Sequence, residues 1–314
     1  MLLQFLLIVV GVVAVLWGAD RLTDGAVALA ERMKMPQIVI GLTIVAVGTS
    51  APEFCVSLVS ALKGTADLAV GNVVGSNIFN TLLIVGVAAM VSPMTILPST
   101  VKKDLPVAVG ASFVLALMVL VDGNVSRLDA ALLVAGFLLF MWMTLHGAKN
   151  PNASEETATK NYSLTKAVVL LLVGLAALVV GSNVFVNGAT SVAQQLGVSE
   201  AVIGLTIVAG GTSLPELATS VVAARKGNSG IAIGNVLGSN VMNVLLILGG
   251  AGLICPMQVQ GITIIDFAIL GGSALLLWLF SFTKLTVARW EGAVLTAIFL
   301  GYMTWLVAAA IEAS

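Results

Sequence analysis

The sequence predicts an all-α integral membrane protein of ten transmembrane helices, built as two inverted-topology repeats of five. Three observations predict it. Of the 314 residues 59% are hydrophobic and only 9% charged, with mean hydropathy +1.10, too apolar for a polar shell to cover a soluble core. Runs of about 20 apolar residues, each long enough for roughly 30 Å of hydrocarbon, follow one another almost without pause. Residues 41–94, which begin GLTIVAVGTSAPEF, recur at 204–257 with a constant offset of 163, no gap and more than half the positions identical. The net charge of −1 offers no argument for a nucleic-acid partner.

Spans are expected near 2–21, 37–62, 69–92, 104–121, 128–147, 166–187, 200–224, 231–254, 262–282 and 290–311. The first could be mistaken for a signal peptide, but it lacks a basic leading segment and a small-residue cleavage site, and its repeat counterpart also spans. The chain divides into a five-helix repeat at 1–147, a polar linker at 148–165 and a second repeat at 166–314. Five is odd, so the second repeat enters the membrane in the opposite sense. Twelve basic residues fall on the linker's side of this layout, and only Lys63 and Arg127 on the other. By the positive-inside rule the linker is cytoplasmic and both termini face outward, in a multi-pass protein of the cell (inner) membrane. Cys55 and Cys255 read as small apolar residues, and His146 as an interfacial one.

The chemistry lies in spans 2 and 7, which are interrupted and expected to break near the midplane. They carry Gly48-Thr49-Ser50-Ala51-Pro52-Glu53 and Gly211-Thr212-Ser213-Leu214-Pro215-Glu216. Proline removes a backbone donor and clashes with the carbonyl four residues earlier. Carbonyls near Ala46, Thr49, Ala209 and Thr212 are therefore expected to lose their intrahelical partners. In hydrocarbon such groups persist only where protein, water or an ion satisfies them. Freed carbonyls beside Glu53 and Glu216 are hard oxygen ligands suited to Na⁺ or Ca²⁺. The plainer alternative is that Ser50-x-x-Glu53 and Ser213-x-x-Glu216 are capping boxes at ordinary helix starts. A glutamate well inside a span is a costly way to make a cap, which favours the functional reading.

Spans 3 and 8 carry Gly71-Asn72-x-x-Gly75-Ser76-Asn77-x-x-Asn80 and Gly234-Asn235-x-x-Gly238-Ser239-Asn240-x-x-Asn243. Asn72, Ser76 and Asn80 share one helical face, as do their counterparts. Helix packing through small residues and amides is the competing account. A row of oxygens facing two glutamates reads better as the rest of a coordination shell. Two glutamates match the charge of one Ca²⁺, and several Na⁺ ions could occupy the same carboxylates. In the empty site two close acids do not both stay ionised, so protons compete as well.

The doubled GxTxxAxGTSxPE and GNxxGSNxxN pair resembles the α-repeats of the sodium/calcium exchanger family of cation/Ca²⁺ antiporters, in its prokaryotic form without a regulatory domain. The resemblance covers essentially the whole chain. It implies Ca²⁺ binding by Glu53 and Glu216 with the carbonyls of Thr49 and Thr212. It implies Na⁺ ligands at Ser50, Ser213, Ser76 and Ser239, the carbonyls of Ala46 and Ala209, and the amides of Asn80 and Asn243. It further implies that long first and sixth spans slide across the core, with Gly11, Gly18, Gly174 and Gly181 letting them lie close to it. Some family members carry an acid at the position of Asn243; here Asn80 and Asn243 are both neutral, which argues against K⁺ co-transport.

The expected function is a secondary antiporter exchanging Na⁺ for Ca²⁺ by alternating access, at three to one as the resemblance implies. A Ca²⁺/H⁺ or other divalent-cation antiporter of the same fold is the nearest rival, and a cation channel a more distant one. No enzyme signature is present, no cofactor is expected beyond the transported ions, and the partners are Na⁺, Ca²⁺ and the bilayer, with the chain monomeric. Asp20, Asp24, Asp104, Asp122, Asp129, Asp266 and Glu291 are placed at span ends in water, and the repeat counterpart of Asp20 is Asn183.

Overall fold

A computed structural model describes residues 2–147, 162–197, 203, 206, 207 and 209–312. Most of the linker, at 148–161, and much of 198–208 lie outside the described residues. The chain is almost wholly helical: α1 (Leu2–Met33), α2 (Gln37–Thr49), α3 (Ala51–Leu62), α4 (Ala66–Val91), α5 (Thr100–Asp122), α6 (Arg127–Gly147), α7 (Leu164–Gln195), α8 (Ala209–Thr212), α9 (Leu214–Arg225), α10 (Ser229–Ile254), α11 (Ile264–Ser281) and α12 (Arg289–Glu312). Four two-residue strands pin the turns. β1 (Met94–Thr95) pairs antiparallel with β4 (Thr286–Val287), and β2 (Asn124–Val125) with β3 (Met257–Gln258).

Among the described residues eight helices are long and apolar enough to cross a membrane, or nine if the bent pair α2–α3 is one span. The span expected at 200–224 is described only in its later part, as α8 and α9. Burial sorts the helices. The most apolar stretch of α10 is 94% buried and that of α4 72%, against 17% for α12 and 22% for α1. The two helices carrying the GNxxGSNxxN motif therefore form the centre. Exposed Leu2, Leu6, Leu117, Leu138 and Leu172 line the outside, where hydrocarbon solvates them at no cost.

The first span is longer than its hydropathy indicates. α1 continues through Leu22–Met33, a stretch whose Asp24, Glu31 and Arg32 make it read as water-exposed. Residues 22–30 are instead buried against neighbouring helices. Asp24, placed in water by the sequence, is covered by protein and paired with Lys226 at 2.9 Å.

The glycines of α1 and α7 also work differently from expectation. They seat the two long helices on each other and not on the core. A Cβ at Gly18 would stand 2.7 Å from the carbonyl oxygen of Gly174, one at Gly174 the same distance from that of Gly18, and one at Gly11 2.8 Å from that of Gly181. Gly25 likewise meets the carbonyl of Ala167. Such close backbone approach is how apolar helices gain packing energy where no hydrophobic driving force separates them from lipid.

Gly18→Ala is therefore expected to destabilise the chain by about 1–3 kcal/mol through overpacking. Gly110→Ala, whose Cβ meets nothing within 4 Å, should be neutral or stabilising by up to about 1 kcal/mol. Denaturation midpoints of the two variants in the same detergent check the contrast.

Candidate cation site

α2 and α3 meet at Ser50 with a bend of 51°. α8 and α9 adjoin at Ser213, whose φ of −90° and ψ of 6° resemble the −82° and 9° of Ser50. Pro52 and Pro215 stand in the first turn of the following helices, so the carbonyls of Gly48 and Gly211 receive no N–H from four residues on. Ser182 of α7 donates to the Gly211 carbonyl at 2.5 Å. Ala46 departs from expectation: its carbonyl keeps a helical partner, the Ser50 N–H at 3.0 Å, with the Thr49 hydroxyl 3.4 Å away. The helix runs unbroken to Thr49, so the proline orphans Gly48 and not Ala46. Ala209 opens α8 and its side chain lies outside the described residues.

The capping reading fails. Neither Ser50 nor Ser213 caps its own helix. Each hydroxyl crosses to the other half of the chain: Ser50 donates to Glu216 Oε1 and Ser213 to Glu53 Oε1, both at 2.9 Å. Ser239 Oγ lies 2.8 Å from Ser50 Oγ, and Ser76 Oγ 3.4 Å from Ser213 Oγ. Thr49 and Thr212 reach toward Glu216 and Glu53 in the same crossed sense. Both glutamates are about 1% exposed, and they interact electrostatically with each other. Among the described residues every ion pair involves Asp20 or Asp24, and none reaches a glutamate of the site.

The asparagines divide into two sets. Asn72 donates to the Glu53 carbonyl at 3.2 Å and to Ser57 Oγ at 2.9 Å. Asn235 does the same to the Glu216 carbonyl and Ser220 Oγ, at 3.3 and 3.0 Å, and its Oδ1 lies 2.9 Å from Thr49 Oγ1. These two hold α3 and α9 in place, in contrast to the coordinating row expected of their shared face. Asn80 is the second residue and Asn243 the first of wide π-helical turns, Phe79–Ile84 and Asn243–Leu248, the kind of irregularity that re-aims side chains at sites.

Asn77 and Asn240 are the residues that sequence reasoning missed. The Asn243 amide donates to Asn77 Oδ1 at 3.0 Å, and the Asn80 amide to Asn240 Oδ1 at 3.1 Å. Asn77 in turn donates to the Asn240 carbonyl at 3.0 Å, and Asn240 to Thr81 Oγ1 at 2.8 Å. Their signal lay in the motif itself, three residues before Asn80 and Asn243 and hence on a neighbouring face. The clamps engage the amide nitrogens of Asn80 and Asn243 and leave the carbonyl oxygens without a partner.

Four buried acceptors in this cluster have no hydrogen-bond partner: Glu53 Oε2, Glu216 Oε2, Asn80 Oδ1 and Asn243 Oδ1. An unpartnered buried acceptor costs about 1–3 kcal/mol, and more when charged. Two carboxyl oxygens and two amide oxygens without donors are the kind of ligands that hard ions such as Na⁺ and Ca²⁺ accept. Among the described residues no group of three His, Cys, Asp or Glu converges. The other oxygens around the two carboxyl groups are neutral hydroxyls and amides.

Comparison with known proteins follows the same line. The family model described as sodium/calcium exchanger protein matches residues 3–146 and 166–308. The inner membrane protein YrbG of Escherichia coli is 39% identical over 274 residues, covering 83% of this chain and 82% of its own. The sodium/calcium exchanger MaX1 of Methanosarcina acetivorans is 33% identical over 343 residues, covering 96% and 98%. Among solved structures, the sodium-calcium exchanger NCX_Mj soaked with 2.5 mM Na⁺ and 0.1 mM Ca²⁺ superposes with a TM-score of 0.85 at 29% identity, covering 97% of this chain and 98% of that one.

The clamps make a charge at residue 243 costly. Asn243→Asp would set a carboxylate against Asn77 Oδ1, acceptor against acceptor, and is expected to destabilise the cation-free chain by about 1–3 kcal/mol. Adding Asn77→Ala should cost less than the sum of the single changes. Unfolding midpoints measured in a chelator check both.

Proposed function

The chain belongs to the sodium/calcium exchanger family, and from that premise we propose that it exchanges Na⁺ for Ca²⁺ across the membrane at the Glu53–Glu216 cluster. One observation carries the reading: two buried carboxylates, each bonded to the opposite half, with four acceptor oxygens left unpartnered and, among the described residues, no protein cation beside them. Uncompensated buried charge is expensive enough that something positive must enter or a proton must be taken up.

Ca²⁺ takes about six to eight oxygens and matches two carboxylates in charge. Glu53 and Glu216, with the carbonyls of Thr49 and Thr212, form its ligand set. Ser50, Ser213, Ser76, Ser239, the carbonyls of Ala46 and Ala209, and the Oδ1 atoms of Asn80 and Asn243 serve Na⁺. Because Ca²⁺ and Na⁺ share Glu53 and Glu216, loading one expels the other. Exchange at three Na⁺ per Ca²⁺ moves net charge. Protons compete for the same two carboxylates, which makes Ca²⁺/H⁺ exchange the alternative coupling.

The spanning layout that goes with this is ten helices in two inverted halves, 1–147 and 166–314, with α2–α3 and the segment ending in α9 broken at the midplane. Contacts between turns support it. β1 with β4, β2 with β3, Asp67 with the backbone of Gln260 and Gly261, Thr95 with Ser229, and Arg32 with Tyr162 each join segments that this layout puts on one face. With the linker cytoplasmic, both termini lie outside.

Radiolabelled Ca²⁺ uptake into Na⁺-loaded proteoliposomes tests the proposal beside Na⁺-free vesicles carrying only a pH gradient. Uptake is expected to require internal Na⁺ and to fall more than about tenfold in Glu53→Gln and in Glu216→Gln, a factor of ten being about 1.4 kcal/mol of lost cation binding. Uptake driven by the pH gradient alone would assign protons as the coupling ion. No uptake in either would mean a different cargo.

A further inference from the structure

Among the described residues, α1 is tied to the core by a three-way ion pair near its Asp20–Asp24 turn. Lys226, just past the end of α9, stands 2.5 Å from Asp20 Oδ1 and 2.9 Å from Asp24 Oδ1, and it donates to the Asp20 carbonyl at 3.1 Å. The Asp24 side chain is 8% exposed and that of Lys226 26%. Asp20, at 38%, is the more screened partner. Lys226 follows Glu216 by ten residues, about 15 Å of helix. The residues between them that face inward, Thr219, Ser220 and Ala223, are buried. The clamp thus stands at the linker-side end of that stretch of α9.

The repeat offset of 163 shows what the other end lacks. Lys226 maps onto Lys63, which follows Glu53 by the same ten residues, but Asp20 and Asp24 map onto Asn183 and Asn187. Both asparagines are exposed on α7, and Lys63 makes no ion pair among the described residues. The two long helices move as one body if they move at all, because their glycines interlock backbone on backbone. Lifting that body from α9 strands a buried Asp24 and a Lys226; lifting it from the mirrored position on α3 strands no charge pair.

We propose that Asp20, Asp24 and Lys226 are positioning residues that clamp the α1–α7 pair onto α9, hold the linker-side route to Glu216 shut, and so bias the empty chain toward access from the opposite face. The inference rests on the exchanger reading above, with its inverted halves. A cation that opens the linker side must supply the free energy of separating the clamp, which makes these residues part of the energetics of the transport step without touching the ion.

The test uses the full chain in nanodiscs, with Cys55→Ala and Cys255→Ala as background and one reporter thiol, Ala223→Cys or its counterpart Ser60→Cys. Maleimide labelling rates are read in cation-free buffer. Asp24→Asn and Lys226→Met are each expected to raise labelling at 223 about fivefold, the range of a partly screened ion pair, and to lower it at 60. Lys226→Arg should leave both rates as they were. Asn183→Asp with Asn187→Asp builds the missing clamp opposite Lys63 while removing no contact of the first. It should move both rates in the same direction as Lys226→Met, so the proposal stays testable if a charge-deleting variant fails to fold. Unchanged rates at 223, or a rise at both positions together, would overturn it. Labelling as expected in a chain that carries no Na⁺-driven Ca²⁺ flux would overturn the exchanger reading and leave the clamp standing.

Discussion

Ser213 donates to Glu53 and Ser50 to Glu216, both at 2.9 Å, and these crossed bonds are what the surrounding structure is built to hold. A serine before a helix ordinarily spends its oxygen on the helix's own N–H groups. Here each serine turns its hydroxyl to a carboxylate more than 150 residues away. The glutamates sit in the first turns of α3 and α9, where the positive ends of two short helices partly offset their charge. What remains is a pair of carboxyl oxygens without a hydrogen-bond donor and, among the described residues, without a protein cation.

Holding two broken turns that close demands thin helices and filled amides around them. A Cβ at Gly234 would lie 2.6 Å from the Ile38 carbonyl and one at Gly238 2.6 Å from that of Leu42, so α10 lies against α2 with backbone touching backbone. Asn72 and Asn235 then tie the glutamate-bearing helices from behind. Asn77 and Asn240 turn the amides of Asn80 and Asn243 so that nitrogen has a partner and oxygen has none. This accounts for neutral residues at both positions: an acid at 243 would meet an acceptor in Asn77.

Much of the site was legible in the sequence. A carboxylate repeated in matching apolar segments, next to Gly-Thr-Ser-x-Pro, identifies a buried polar centre because no other use repays its desolvation. The serines, Asn80 and Asn243 were legible for the same reason. The partners were not. Ser50-x-x-Glu53 satisfies the spacing of a capping box, and only the other half of the chain decides that the hydroxyl goes elsewhere. Asn72 shares a face with Ser76 and Asn80 yet bonds to the Glu53 carbonyl and Ser57 Oγ, because α3 packs beside that end of α4. Asp24 read as a water-facing acid because a hydropathy average cannot register a lysine 202 residues away.

By itself the sequence determined what depends on composition and on short-range pattern: a helical membrane protein, its repeated motif, the places where proline interrupts a helix, and the two acids that cannot sit in hydrocarbon without a purpose. Tertiary structure alone decided how the hydrogen bonds were shared out. It sent the serines across the molecule, set the glycines of α1 against α7, kept the Ala46 carbonyl in its helix, and placed Lys226 on Asp20 and Asp24. The physical reason is that a polar group buried among apolar helices takes whichever partner the packing brings within about 3 Å, and that partner lies far off in the chain. The four oxygens left with none are therefore a property of the assembled bundle and of no single segment.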